Sequence, residues 1–218
     1  MEIRVGADAD QQAAAKIAAR LRDAHRRRAR AFLAMSGGST APPLIGALLD
    51  QDVPWETVTV WQVDERVAPD GDDERNVGQL AVLPCVVRPM PVTGRDLRRA
   101  ARQYGALLPD RFDVVHLGLG DDGHTASWPP GDAAPISSER SVELVRNFHG
   151  LDRMTLSARV VNRARARVVL ATGASKRPMV TRWFDGDATL PITSVRRSDT
   201  WVFLDDAAAP GGVDGEQQ

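Results

Sequence analysis

The chain has 218 residues, a formal net charge of −1, 43% hydrophobic and 26% charged residues, an ordinary globular composition with ample material for a core. That balance argues against nucleic-acid binding, which asks for a basic excess or patch, and no apolar run approaches the ~18 residues of a membrane span. The one cysteine, Cys85, excludes a disulfide framework and a cysteine metal site; with an N-terminus that lacks an apolar signal core, it predicts residence in the cytoplasm.

The elements alternate along the chain. "EIRVGA" reads as a strand, and "DADQQAAAKIAARLRDAHRRR" as a helix with Ile17, Leu21 and Ala24 on one stripe and an Asp at its start. The basic run His25 to Arg30 fits the last turn of that helix, where cations complement the dipole. "AFLAMSG" is an apolar run ending in glycines, and "PPLIGALL" a helix with proline in its first turn. "TVTVWQVDE" reads as one strand, and Asn76 as the cap of "VGQLAVL". "DLRRAARQYGALL" is a helix capped by Asp96, with Leu97, Ala101, Tyr104 and Leu108 inward. "FDVVHLGLG", "SVELV", "RMTLS", "RVVLAT" and "TWVFLD" are strand-like, and "SKRPMVTRWF" is a helix.

Several of these strands do not alternate with polar residues, so they belong in a parallel or mixed sheet covered on both faces. The expected fold class is α/β, a three-layer α/β/α sandwich forming one domain over residues 1–206. The tail at 207–218, small and flexible, is expected to be disordered. In such sheets ligands bind beyond the C-terminal strand ends, so the strand-end loops carry the function.

The first of these loops is "MSGGSTAPP". Glycines let backbone N–H groups approach an anion, a helix start adds a favourable dipole, and Ser39 and Thr40 add hydroxyls. The loop reads as a phosphate cradle first, and either hydroxyl can cap the helix as well. The second places Asp64, Glu65 and Arg66 at a strand end, as site residues or as a solvated loop start. The third, "LGLGDDGHTAS", spells GxGxxG through Gly118, Gly120 and Gly123. A dinucleotide fingerprint needs a long helix next, and prolines at 129, 130 and 135 forbid one. What remains is Asp122, Gly123 and His124 in a tight turn, where a histidine can act as general base with a carboxylate orienting its ring. The other three histidines read as structural. The fourth loop, "LATGASKRP", carries Lys176. Lysine otherwise appears only at Lys16, so Lys176 suggests a compact charge for phosphate, with Arg153 as a second cation.

Together, "MSGGST", "VDERVAP" with "RNVG", "LGLGDDGHTAS", and "RMTLS" followed by "TGASK" resemble the 6-phosphogluconolactonases, which are related to the glucosamine-6-phosphate deaminases. The resemblance runs in consistent order from Met35 to Lys176. It implies a Rossmann-like, mostly parallel sheet of the glucosamine-6-phosphate deaminase/ribose-5-phosphate isomerase type. It also implies hydrolysis of 6-phospho-D-glucono-1,5-lactone to 6-phosphogluconate in the oxidative pentose phosphate pathway, with no metal and no cofactor. Carried over, it makes His124 the base that activates water and Asp122 the residue that shapes or polarises its turn. Asp64 and Arg66 match the acidic and basic positions of the second motif. Ser36, Gly37, Gly38, Ser39, Thr40, Asn76, Arg153 and Lys176 match the phosphate and sugar side. The implied partner is a small phosphorylated sugar lactone, not nucleic acid or membrane, and the expected state is a monomer or weak homodimer.

This chain departs from the family pattern. Ala41 stands between Thr40 and the proline, Arg75-Asn76 replaces Ser-Asn, and Trp128-Pro129-Pro130-Gly131 follows "HTAS", so a different pocket wall is expected. Two rival readings are a glucosamine-6-phosphate deaminase or sugar-phosphate isomerase, and a non-catalytic sugar-phosphate sensor. The deaminases carry a glutamate shortly after the histidine turn; here the next is Glu139, which favours hydrolysis.

Overall fold

The structure is a computed structural model and describes residues 1–211. Strand β1 (Glu2–Val5) leads into helix α1 (Ala9–Arg28), then β2 (Ala31–Met35), α2 (Ala41–Leu49) and β3 (Val58–Gln62). There follow β4 (Asp64–Arg66), α3 (Asn76–Leu80), β5 (Val86–Arg88), α4 (Leu97–Leu107), β6 (Val114–Leu117) and α5 (Ala134–Ser137). The chain ends with β7 (Val142–Phe148), β8 (Leu151–Leu156), α6 (Ala158–Arg163), β9 (Arg167–Ala171), α7 (Arg177–Phe184) and β10 (Thr200–Leu204).

Seven strands form one parallel sheet in the order β1-β10-β9-β6-β2-β3-β5. Its central strands β6 and β9 are buried on both faces, as their unalternating apolar sequences require, while the edge strands β1 and β5 are partly exposed. Val168 and Leu170 of β9 enter one core with α1 and α2; Val169 and Ala171 enter another with α4, α6 and α7. Helix α1 presents Ala13, Ala14, Ile17, Ala18 and Leu21 to the first core, and its small residues let it lie close to the sheet. Lys16, on its flank, rests its ammonium 4.3 Å from the centroid of the Trp201 ring.

"TVTVWQVDE" is not one strand. It breaks at Val63, whose N–H donates to Met35 O (3.0 Å) in the parallel sheet. The carbonyl of Val63 accepts from Leu156 N (2.8 Å), and β4 continues antiparallel to β8 in a second, three-stranded sheet with β7. A strand covered on one face by a small sheet and then joining that sheet keeps the same apolar pattern, which hides the break from periodicity. The second helical layer is therefore shared with this small sheet.

Asn76 does not cap α3. Arg75 holds the cap position, and the buried Glu65 supplies the acceptor, taking hydrogen bonds from Asn76 N (2.7 Å) and Val77 N (3.0 Å). Asp96 does cap α4, accepting from Arg99 N at 2.9 Å; Ala100, Ala101 and Tyr104 of that helix are buried, while Leu97 and Leu108 are only partly so. The described chain carries past the expected boundary at 206: Ala208 and Ala209 are buried because Asp205 turns the backbone inward, accepting from Ala208 N at 2.8 Å. The rest of the expected tail, 212–218, lies outside the described residues. Among the described residues no helix is long and apolar enough to cross a membrane.

Candidate functional site

Strand order reverses between β6 and β2: from there the chain builds outward through β3 and β5 on one side and through β9 and β10 on the other. Crevices of this kind lie at C-terminal strand ends. Ser36 closes the base of the crevice, its N–H and its hydroxyl both donating to His116 O (3.3 and 3.2 Å). Loops after β2, β3, β6 and β9, four neighbouring strands, surround a cavity of about 470 Å³.

All twelve site residues named from the sequence line this cavity: Ser36, Gly37, Gly38, Ser39 and Thr40 from the first loop, Asp64, Arg66 and Asn76 from the second, Asp122 and His124 from the third, and Arg153 and Lys176. The first loop turns at Gly38 (φ 98°), and Thr40 at the start of α2 makes no side-chain cap. Capping is thus not what its hydroxyl does. Gly37 is needed for close approach: a Cβ there would lie 2.3 Å from Asn76 Oδ1.

Alternation along β4 separates its three ionisable groups. Asp64 and Arg66 face the cavity, whereas Glu65 turns away to α3. Asp64 is buried and accepts from Ser127 Oγ at 2.7 Å. Burial raises its carboxyl above the usual range, against the opposing pull of Ser127, Arg66 and Arg153. Arg66 sits directly opposite Arg153 in the β4–β8 register. Like charges in that position repel, so the pair favours an anion between or beside them. Arg66 Nε is buried and, among the described residues, has no hydrogen-bond partner.

In the third loop the glycines make room for a histidine. Gly120 N donates to His124 O (2.8 Å) and Gly123 N to Gly120 O (3.0 Å), with Gly123 at φ 87°. His124 Nδ1 lies 2.5 Å from Asp122 Oδ1, which also accepts from His124 N at 3.0 Å. Burial alone would raise the Asp122 carboxyl, but these bonds and the neighbouring histidines outweigh it and hold it well below the usual carboxylate range. An ionised carboxylate only accepts, so Nδ1 is the protonated nitrogen, and in the neutral ring Nε2 is left with the lone pair.

His149, read as structural from the sequence, belongs here instead. It lies in the β7–β8 hairpin, where it and Gly150 both have positive φ (51° and 81°), and the hairpin folds over the cavity. Its Nε2 is 3.4 Å from Asp122 Oδ2, and its ring centroid 5.6 Å from that of His124. Asp122, His124 and His149 bring three possible ligand atoms within 4.8 Å of one another, the arrangement in the site best able to hold a metal ion. Asp121, also absent from the expected set, pairs with Lys176 Nζ at 2.6 Å. Trp128 does not form a different pocket wall: it is fully buried in the core, and its indole N–H donates to Leu156 O at 2.8 Å.

Residues 6–204 match the family model described as glucosamine-6-phosphate isomerases/6-phosphogluconolactonase. The chain belongs to this family. Within it, the chain is 35% identical over 190 residues to a 6-phosphogluconolactonase of Synechocystis, covering 79% of each protein. It is 30% identical over 230 residues to one of Mycobacterium leprae, covering 92% of each. A 6-phosphogluconolactonase structure from Shewanella baltica superposes with a TM-score of 0.84 at 25% identity, covering 93% of this chain and 97% of that one. The enzyme from Trypanosoma brucei gives 0.78 at 26%, covering 94% and 96%. A monomeric glucosamine-6-phosphate deaminase shares the fold with a TM-score of 0.78 at 19% identity. The α/β sandwich with its parallel sheet is thus the family's architecture, and the crevice of this family member lies at its sheet reversal.

Proposed function

We propose that this family member is a hydrolase that opens 6-phospho-D-glucono-1,5-lactone to 6-phosphogluconate in the oxidative pentose phosphate pathway of the cytoplasm. The observation that carries the reading is the pairing of His124 with the ionised Asp122 in a cavity whose other walls hold Arg66, Arg153 and Lys176. The cavity offers a base together with cations, which matches a neutral lactone joined to a phosphate.

The lactone carbonyl is already electrophilic, so the catalytic demand is modest. Nε2 of His124 takes a proton from water as the oxygen attacks C1, and Asp122 stabilises the imidazolium that forms. Negative charge then develops on the carbonyl oxygen. Arg66, which lines the cavity, is the donor assigned to it. As the C1 to ring-oxygen bond breaks, His124 returns the proton to the departing oxygen. Lys176, Arg153 and the Ser36–Thr40 loop hold the phosphate, which acts before and during the reaction alike and so fixes position. Arg66 and Arg153 are held by the backbone carbonyls of Glu74 and Phe148, to which they donate at 2.5 and 3.1 Å, and Asp64 lies within electrostatic reach of both.

The test is lactone hydrolysis. 6-Phosphogluconolactone is generated in place and its loss followed against the spontaneous rate, with wild type and His124→Asn, while ammonia release from glucosamine 6-phosphate is measured in parallel. Acceleration by wild type alone, without ammonia, is expected. Ammonia release without lactone hydrolysis moves the chain to the deaminase branch, and equal turnover by His124→Asn removes the base assignment.

A further inference from the structure

Asp121 lines the cavity but belongs neither to the histidine pair nor to the glycine frame around it. Its Oδ1 accepts from Lys176 Nζ at 2.6 Å and from Ser175 Oγ at 3.0 Å. The two partners differ in freedom. The Lys176 side chain is 14% exposed and its backbone is pinned, with Lys176 N donating to Gly173 O at 3.0 Å. The Asp121 side chain is 65% exposed. The lysine is therefore the fixed member, and the aspartate the one that can turn out to solvent at little cost.

We propose that Asp121 is a specificity-determining residue, an internal anion that occupies Lys176 and must be displaced by the phosphate of the substrate. The inference rests on the reading of Lys176 as a phosphate cation. A carboxylate brings one charge and two oxygens to the ammonium. A phosphate monoester at neutral pH brings nearly two charges and three oxygens, and these also reach Arg153 and the Ser36–Thr40 loop. A dianion gains by the exchange. A monoanion, such as the carboxylate of an unphosphorylated sugar acid, trades one single charge for another and gains nothing. Displacing Asp121 costs every anion the same, so it raises a threshold that the larger interaction of a dianion clears and that of a monoanion does not.

The experiment measures KM for 6-phosphogluconolactone and the competitive Ki of inorganic phosphate and of gluconate. The enzymes are wild type, Asp121→Asn, Asp121→Glu and Lys176→Ala. In Asp121→Asn, KM and the phosphate Ki are expected to fall together by about fivefold, the worth of one partly exposed ion pair, and inhibition by gluconate to strengthen. Asp121→Glu, which keeps the charge, restores wild-type values. Tighter binding is not an outcome that damaged folding produces. Unchanged or weaker phosphate binding in Asp121→Asn overturns the inference, and a raised KM in Lys176→Ala then leaves the phosphate reading standing. If Lys176→Ala changes neither constant, the phosphate reading itself falls, and the inference with it.

Discussion

Oδ1 of Asp122 lies 2.5 Å from Nδ1 of His124 and 3.0 Å from the backbone nitrogen of the same residue, so one carboxylate fixes both the ring and the peptide of a residue two positions later. Its other oxygen faces His149. Asp122→Asn keeps an acceptor for the ring but removes the charge that stabilises the imidazolium. On the proposed reading kcat falls by about a hundredfold, while KM changes little. Steady-state kinetics at pH 7 check this. Because Asp122 is held below the usual carboxylate range, its titration is not expected to shape a rate profile at mildly acid pH.

Gly120 gives a second check on the same pair. A Cβ at this position would stand 2.0 Å from His124 Nδ1 and 2.8 Å from Asp122 Oδ1, so the ring has to move. A displacement on the order of 1 Å costs about a hundredfold in rate. Gly120→Ala is expected to lose kcat on that scale with a folded, phosphate-binding protein remaining. At Gly118 the nearest atom to a new Cβ is Thr40 Oγ1 at 3.8 Å, an ordinary contact, so Gly118→Ala loses far less. Comparable losses in the two variants would count against this account of the glycines.

Trp128 concerns stability. It is fully buried, and its indole N–H holds the Leu156 carbonyl. Trp128→Ala leaves a cavity and an unpaired carbonyl, and is expected to cost about 3–5 kcal/mol, read by urea unfolding. Where the variant remains folded its KM stays near that of wild type, because the ring does not line the cavity.

His116 predicts a pH dependence of stability. Both its ring nitrogens are buried without partners among the described residues, and burial pushes its pKa down from 6.5 to about 4. The unfolded chain therefore binds this proton more readily than the folded one. The contribution is fully present above pH 6.5 and is lost as pH falls toward 4, by about 3 kcal/mol at most. His116→Leu removes the titrating group. Urea unfolding at pH 7 and pH 5 is expected to show a smaller difference for the variant than for wild type, and equal differences would exclude His116 as the source.

The sequence by itself determined most of the elements and the residue types of the loops between them, though it did not mark β5 or α6. Apolar runs without alternation specified buried parallel strands. The glycine, hydroxyl and charged residues after them marked the lining of one crevice, because strand ends and the turns that follow are local features. The prolines after His124 likewise argued against a dinucleotide fingerprint. Tertiary structure decided what depends on distant partners. The break at Val63 exists because the chain exchanges Met35 for Leu156 as its hydrogen-bonding neighbour. Glu65 caps a helix eleven residues on, as the spacing from Glu65 to Asn76 shows. His149 reaches Asp122 only when the β7–β8 hairpin folds over the crevice, and Asp121 meets Lys176 only because β6 and β9 are neighbours in the sheet. Spacing and composition encode a residue's own preferences. Which partner satisfies a buried charge is fixed only when packing removes water from both.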